Sequence, residues 1–250
     1  MGVLGWNKDE AKQASDETAA AVRSGDGGAL ARARATDEGG LSGAATRLVE
    51  RLLDVGIDGR GPFSSASEIA DKALESANGN TGQALTIIQR DHLTLGGIGG
   101  FVTGLGGFFT MPVSIPANVL EFYLLGTRVT AATAKLRGYD IDQPEIRSAI
   151  LLTLVGADSE DLLKKAGLNV AGGKLSGIAF DRLPAPALMV LNKAVGFRLL
   201  SRIGQSTFAR LGRAVPVVGG VIGAAFDVYL LRRIAKQARK EFPPVETFGG

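Results

Sequence analysis

Twenty-eight consecutive residues of this chain, 93–120, carry no charged side chain. A stretch of that length could cross a lipid bilayer, which takes about 20 apolar residues in a helix. It also contains seven glycines and two prolines, and both residue types destabilise the interior of a straight helix. We therefore predict a helical hairpin, or a segment that dips into one leaflet, rather than one spanning helix.

A second glycine-rich apolar segment, 214–226, precedes a basic helix near the end of the chain. The stretches 106–128 and 216–233 resemble each other: each has an apolar glycine-rich approach, an acidic residue, a tyrosine two positions later, two leucines and an arginine. The acidic residues are Glu121 and Asp227. We interpret this echo as two similar helical hairpins that pack together, with chance similarity between apolar sequences as the alternative.

The composition and patterning predict an all-α helical bundle. Hydrophobic side chains make up 45% of the 250 residues, which is enough for a sizeable core, and no alternating run is long enough for a sheet. The 35 glycines are costly in helices unless helices approach each other closely, as small residues allow in membranes. We predict a mobile Ala/Gly/charged tail over 1–40, a helical domain over 41–242 and a C-terminal tail over 243–250.

Capping residues and apolar periodicity predict where the helices start. The expected starts are at Ser42, Ser67, Thr81 and Ala117, and at 142–143 just before Pro144. Later helices are predicted over 159–166 and 188–211, and a basic helix follows the apolar segment 214–226.

The net charge of +3 is modest, but the charges are unevenly distributed. No acidic residue occurs between Asp181 and Asp227, where basic residues alternate with apolar ones at helical spacing. Because this pattern suits an anionic leaflet, we predict an anionic-lipid face formed by Arg198, Arg202, Arg210, Arg213, Arg232 and Arg233. An ordinary solvated face is the alternative. Nucleic acid is not expected, since no Tyr or Trp that could stack on bases precedes Tyr229 in this stretch.

The membrane-inserting surface is predicted from the two apolar segments. Its candidate residues are Gly96, Gly97, Gly100, Phe101, Gly104, Gly107, Phe108, Phe109, Pro112, Pro116, Pro216, Gly219, Gly220 and Gly223.

The sequence offers little for catalysis. There is no cysteine and a single histidine, His92. One histidine does not build a catalytic triad or a histidine-based metal site with the usual partners. We expect His92 in a core or an interface. No Gly-Lys-Ser/Thr follows the glycine pairs of 96–107, so a phosphate loop is not predicted. We expect no metal, cofactor or catalytic residue. Glu121 and Asp227 are candidate buried acids. The alternative to a proton or ligand site at Glu121 is a structural role, either as an ion pair with Arg128 or as a charge at the helix start.

Several motifs resemble the EcsC family of bacterial proteins. They are the run from His92 to Gly107, Met-Pro-Val-Ser-Ile-Pro-Ala at 111–117, Leu-Arg-Gly-Tyr-Asp at 136–140 followed by Pro-Glu-Ile-Arg at 144–147, and the closing motif 214–220 with Gly223 and Asp227. The resemblance covers about residues 60–242. It implies a membrane-associated protein of a family that is named from an operon encoding an ABC transporter and has no agreed activity. It therefore assigns no catalytic residue, and it leaves the first forty residues uninformed.

Together these features predict a non-enzymatic protein that binds or partly inserts into the cytoplasmic leaflet. It would bind anionic membrane lipid and act through a membrane protein partner, such as an ABC transporter, or on membrane organisation, and an oligomer is compatible with this role. The cytoplasmic side is expected because no hydrophobic signal region follows the first apolar residues. The alternatives are a soluble helical bundle that encloses a lipid or other apolar ligand, and a hydrolase centred on Glu121 or Asp227.

Overall fold

A computed structural model describes residues 8–34, 40–61, 63–98, 117–168, 175, 183–211 and 216–245. This part of the chain holds ten α-helices and one π-helical segment and no strand, which confirms the predicted all-α fold. In chain order they are α1 (Lys8–Ser24), α2 (Gly27–Arg34), α3 (Gly40–Arg51), the π-helical segment (Leu52–Ile57), α4 (Ala66–Ser76), α5 (Thr81–Ile98), α6 (Ala117–Leu136), α7 (Pro144–Val155), α8 (Asp158–Lys165), α9 (Ala185–Leu211) and α10 (Pro216–Glu241).

Two helices organise the bundle. Helix α6 packs against α4, α5, α7, α10 and the π-helical segment, whereas α9 packs against α1, α2, α3 and α7. Because α7 contacts both α6 and α9, the two groups of helices share one continuous core.

Helix α6 is buried on almost every side between Leu120 and Ala134. Its buried hydroxyls are satisfied within the helix: Thr127 and Thr130 donate to the carbonyl oxygens of Tyr123 and Gly126, each at 2.8 Å. Threonine can therefore occupy a central helix without leaving an unpaired polar group.

The crossing of α3 and α9 depends on a glycine. A Cβ atom at Gly196 would lie 2.5 Å from the carbonyl oxygen of Ala45 and 3.1 Å from Cγ2 of Val49. The absent side chain lets the two helix backbones approach closely, which is one way in which glycine offsets its low helix propensity.

Local signals fix several helix ends. Helix α5 begins at Thr81 as predicted, and Pro144 occupies the first turn of α7, where its missing N–H costs nothing. Helix α4 starts earlier than the predicted Ser67, because Ser65 forms a capping box with Glu68.

The N-terminal region differs from the expectation of a mobile tail. Helix α1 lies against α9 with Ala11 and Ala19 fully buried, and the Ser15 hydroxyl donates to the carbonyl oxygen of Ala194 at 2.9 Å. The small residues of α1, which on their own indicate little, form a narrow face that fits closely onto α9. Residues 8–34 are therefore part of the bundle in the described structure.

Candidate functional site

The helix ends that flank the two uncharged segments meet at one end of the bundle. Helices α5 and α10 run antiparallel. Arg239, near the end of α10, donates from Nη2 to the carbonyl oxygen of Leu85, near the start of α5, at 3.0 Å, whereas Val228, earlier in α10, lines the same groove as Leu93, later in α5. Helices α6 and α10 run parallel: Glu121 lies near Asp227, and further along both helices a Cβ atom at Gly126 would lie 3.1 Å from Cδ1 of Ile234. The C-terminus of α5 and the N-termini of α6 and α10 thus lie together, and we call this the glycine-rich end.

Helix α9 also ends near the glycine-rich end, because only four residues separate its last residue, Leu211, from Pro216 at the start of α10. Burial raises the pKa of Tyr123 near the start of α6 to about 12, and the nearby charge of Arg202 on α9 partly counteracts this. The segments 99–116 and 212–215, which connect α5 to α6 and α9 to α10, therefore both join the described bundle at the glycine-rich end.

The structure locates some of the predicted insertion residues. Gly96 and Gly97 belong to the last turns of α5, and Pro216, Gly219, Gly220 and Gly223 belong to the first turns of α10. The apolar stretch from 216 is continuous with the basic helix that follows it, so the two form one helix with proline at its start. Outside the described residues lie Gly100, Phe101, Gly104, Gly107, Phe108, Phe109, Pro112 and Pro116, so the hairpin predicted for the first apolar segment remains a prediction. The second stretch of the echo, 216–233, forms part of one continuous helix and not a hairpin of its own.

The two acids of the sequence echo are neighbours in space. Glu121 is buried, and its Oε1 atom has no hydrogen-bond partner among the described residues. Burial raises the pKa of the Glu121 carboxyl, and the nearby Asp227 on α10 raises it further. The equivalent positions of the two stretches thus form an acidic pair at the glycine-rich end, where a proton on Glu121 is favoured.

His92 occupies the core, as predicted. Its Nδ1 atom lies 2.8 Å from the Ile88 carbonyl oxygen, whereas Nε2 has no hydrogen-bond partner in the described part of the chain. Burial lowers the pKa of His92 to about 4, which the bond to Ile88 opposes and the nearby charge of Arg128 reinforces. The imidazole is therefore neutral at pH 7.

Arg128 connects α6 to the π-helical segment. Its Nη1 donates to the Val55 carbonyl oxygen at 3.3 Å, and its guanidinium carbon lies 5.8 Å from the centre of the Phe63 ring. Burial lowers the pKa of Arg128 to about 10. The charged group that shifts the pKa of Glu121 is Asp227 and not Arg128. The structure therefore does not favour the ion pair between Glu121 and Arg128.

Two arginines predicted for the anionic-lipid face have acidic partners. The side chain of Arg198 is only 5% exposed and lies 2.6 Å from Asp16 of α1 and 3.2 Å from Asp161 of α8. Arg202 lies 2.8 Å from Asp158 and donates to the Val155 carbonyl oxygen at 2.7 Å. The acids lie outside the acid-free stretch of sequence, so the charge pattern alone could not reveal them. These two arginines hold α1 and α8 against α9 and do not form an open cationic surface.

Of the other four arginines of the predicted anionic-lipid face, two have described side chains and two do not. Arg232 and Arg233 are exposed on α10. Arg210 belongs to the last turns of α9, where no side chains are described, and Arg213 lies outside the described residues.

A groove of about 530 Å³ between α5 and α10 was not predicted from the sequence. The described residues that line it are Thr86, Gln89, Arg90, Leu93, Thr94, Val228, Arg232 and Arg239. Its two walls are more than 130 positions apart in the chain, so neither stretch of sequence could indicate it alone.

Other classes of site were sought in the described ranges. No three His, Asp or Glu side chains there come close enough together to hold a metal ion. Of the helices whose residues are described, none has both the length and the apolar character needed to cross a membrane.

The buried carboxyl of Glu121 should cost stability at alkaline pH. Its raised pKa means that the folded state holds the proton more tightly than the unfolded state, so this contribution is lost as the pH rises through the folded pKa. We expect Glu121→Gln to raise the Tm at pH 8, by about 2–4 °C for each kcal/mol gained. Thermal unfolding followed by circular dichroism would measure it, with the exposed Glu50→Gln as control. A lower Tm for Glu121→Gln at pH 8 would contradict the assignment.

A family model described as the EcsC protein family matches residues 64–243, which include α4 to α10. This agrees with the resemblance that the sequence motifs indicated. Comparisons with curated proteins and with solved structures gave no match.

Proposed function

Since the chain belongs to the EcsC protein family, we propose that it is a non-enzymatic protein that binds the cytoplasmic leaflet of the cell membrane through the glycine-rich end. The observation that carries the proposal is that the described parts of both uncharged segments, 93–120 and 214–226, lie at that same end: they are the last turns of α5, the first turn of α6 and the first turns of α10. Two apolar segments at one end can enter a leaflet together while the rest of the bundle stays in water.

The surroundings of the glycine-rich end support this proposal. Arg232 and Arg233 are exposed on α10, and each basic side chain close to an anionic leaflet contributes about 1 kcal/mol of attraction. The acidic pair formed by Glu121 and Asp227 lies at the same end, and its raised Glu121 pKa favours a neutral side chain next to an apolar environment.

We further propose that the protein acts through a membrane protein or on membrane organisation. The described residues contain no group of three His, Asp or Glu side chains that could hold a metal ion, the kind of cluster that metal-assisted hydrolysis uses. The resemblance implies a transporter of the ABC class as one such partner.

Liposome flotation tests the proposal directly. We expect the full chain to float with vesicles that contain phosphatidylglycerol, and less with pure phosphatidylcholine. The double variant Phe108→Asp, Phe109→Asp should bind the vesicles with an affinity at least about tenfold lower, since each acidic side chain costs about 2.5–3.5 kcal/mol in the centre of a bilayer.

Met189→Asp is the matched control, because Met189 is a 52% exposed apolar residue at the opposite end of α9 from Arg202. It should float like the wild type. Wild-type protein that stays at the bottom of the gradient with both vesicle types would refute membrane binding, and lipid that co-purifies with such protein without detergent would favour the soluble lipid-binding bundle.

A further inference from the structure

The groove between α5 and α10 has a one-sided distribution of charge. Three of its described lining residues are arginines, Arg90, Arg232 and Arg239, and none is acidic. An open depression with three guanidinium groups attracts anions, and arginine is suited to phosphate because its planar N–H groups can pair with two oxygen atoms at once.

The charge of Arg239 is not neutralised by the contacts that hold it. Its Nη2 donates to two neutral acceptors, the Leu85 carbonyl oxygen at 3.0 Å and Gln89 Oε1 at 3.1 Å. A second cation, Arg137, is close enough to repel it. The side chain is therefore fixed in place while its positive charge remains available to an anion.

The other two arginines lie on the open side of the groove. Arg232 is exposed and has no ion pair with any described residue. Arg90 has a 74% exposed side chain, and its ion pair among the described residues is a surface one with the adjacent Asp91, at 3.3 Å. Both can turn towards a bound anion without breaking a buried contact.

The apolar part of the groove lies towards the glycine-rich end. Leu93 and Val228 line it there, close to the last turn of α5 and to Asp227, while Arg239 lies at the far end of the groove. A ligand that combines an anionic group with an apolar chain would match this order, with the chain directed to the glycine-rich end.

We propose that this groove binds the phosphate headgroup of an anionic phospholipid, with Arg232, Arg239 and Arg90 around the phosphate and an acyl chain along Leu93 and Val228. The choice of a lipid as the source of the phosphate rests on the proposed membrane function. Inorganic phosphate shares the headgroup chemistry but lacks the chain.

Isothermal titration with dihexanoyl phosphatidic acid, below its micellar concentration, tests the groove without any membrane. We expect saturable binding by the wild type, and binding about tenfold or more weaker for Arg232→Glu, since charge-assisted contacts to phosphate become repulsive. Arg34→Glu is the matched control: it makes the same change of charge at an exposed position of α2, outside the groove and outside the predicted anionic-lipid face, and should bind within about twofold of wild type.

Inorganic phosphate provides the second arm. We expect it to bind about tenfold or more weakly than the lipid, because it cannot bury apolar surface. Phosphate that binds as tightly as the lipid would overturn the lipid assignment. Equal weakening by Arg232→Glu and Arg34→Glu, or no weakening by either, would overturn the groove as the site.

The two proposals can fail separately. Protein that floats with vesicles but binds the soluble lipid equally well with Arg232→Glu would remove the groove and leave the membrane function. Protein that does not float but loses soluble lipid binding with Arg232→Glu would remove the membrane function and leave an anionic lipid site.

Discussion

Replacement of Gly196 by alanine should lower the free energy of unfolding by about 2–4 kcal/mol. The added Cβ would lie 2.5 Å from the carbonyl oxygen and 3.0 Å from the carbonyl carbon of Ala45. Both are backbone atoms of α3, so relief requires a shift of the whole helix and not a change of rotamer. Because α9 also carries α1, α2 and α7, such a shift would loosen contacts well beyond the crossing.

Urea unfolding followed by far-UV circular dichroism would measure this effect as a lower midpoint at an unchanged slope. Gly28→Ala is the matched control, because Gly28 is an exposed helical glycine whose added Cβ would meet nothing closer than 3.4 Å. That variant should be as stable as wild type or up to about 1 kcal/mol more stable. If Gly196→Ala matched Gly28→Ala, the close approach of α3 and α9 would not exist in solution.

The folded protein should lose about 2 kcal/mol of stability between pH 7.5 and pH 5.0 through His92 alone, and about 3 kcal/mol by pH 4. Burial lowers the pKa of His92 from 6.5 to about 4. Between these two values the unfolded chain binds more protons than the folded one, so stability falls as the pH falls through that window. At pH 7.5 and above both states are almost entirely neutral at this position and the effect vanishes.

His92→Asn isolates this contribution. An asparagine amide can donate to the Ile88 carbonyl oxygen as the imidazole does, but it does not titrate. The difference in unfolding free energy between wild type and variant should shift by about 2 kcal/mol from pH 7.5 to pH 5.0, while the carboxylates common to both cancel. A constant difference across that range would show that His92 is hydrated or ionised in the folded protein.

Local sequence signals predicted much of the fold. Thr81 and Pro144 mark helix starts because capping and proline geometry act within one turn, and Gly138, with a φ of 89°, ends α6 as a glycine in the left-handed region does. The predicted start of α4 at Ser67 was wrong, although Ser65 and Glu68 have the sequence spacing of a capping box.

What could not be predicted depends on contacts between distant stretches. The role of α1 is decided by α9, where Ser15 meets Ala194 and Asp16 meets Arg198, some 180 positions away. For the same reason Arg198, which lies in an acid-free stretch, was predicted on an open surface. The echo predicted two hairpins that pack together; in the described residues the helices that carry Glu121 and Asp227, α6 and α10, pack side by side.

The family match begins at residue 64, yet the bundle does not. Ser201 donates to the Lys8 carbonyl oxygen at 3.2 Å and Lys193 donates to that of Ala33 at 2.8 Å, so the N-terminal helices cover one side of α9. A fragment cut at the family boundary would expose the apolar side of α9 that α1 and α2 cover, and would leave the Arg198 guanidinium without its Asp16 counter-ion. We expect such a fragment to aggregate, and aggregated protein sediments with vesicles whether or not it binds them. Co-sedimentation of a trimmed fragment would therefore be a false positive for membrane affinity, and only the intact chain can report it.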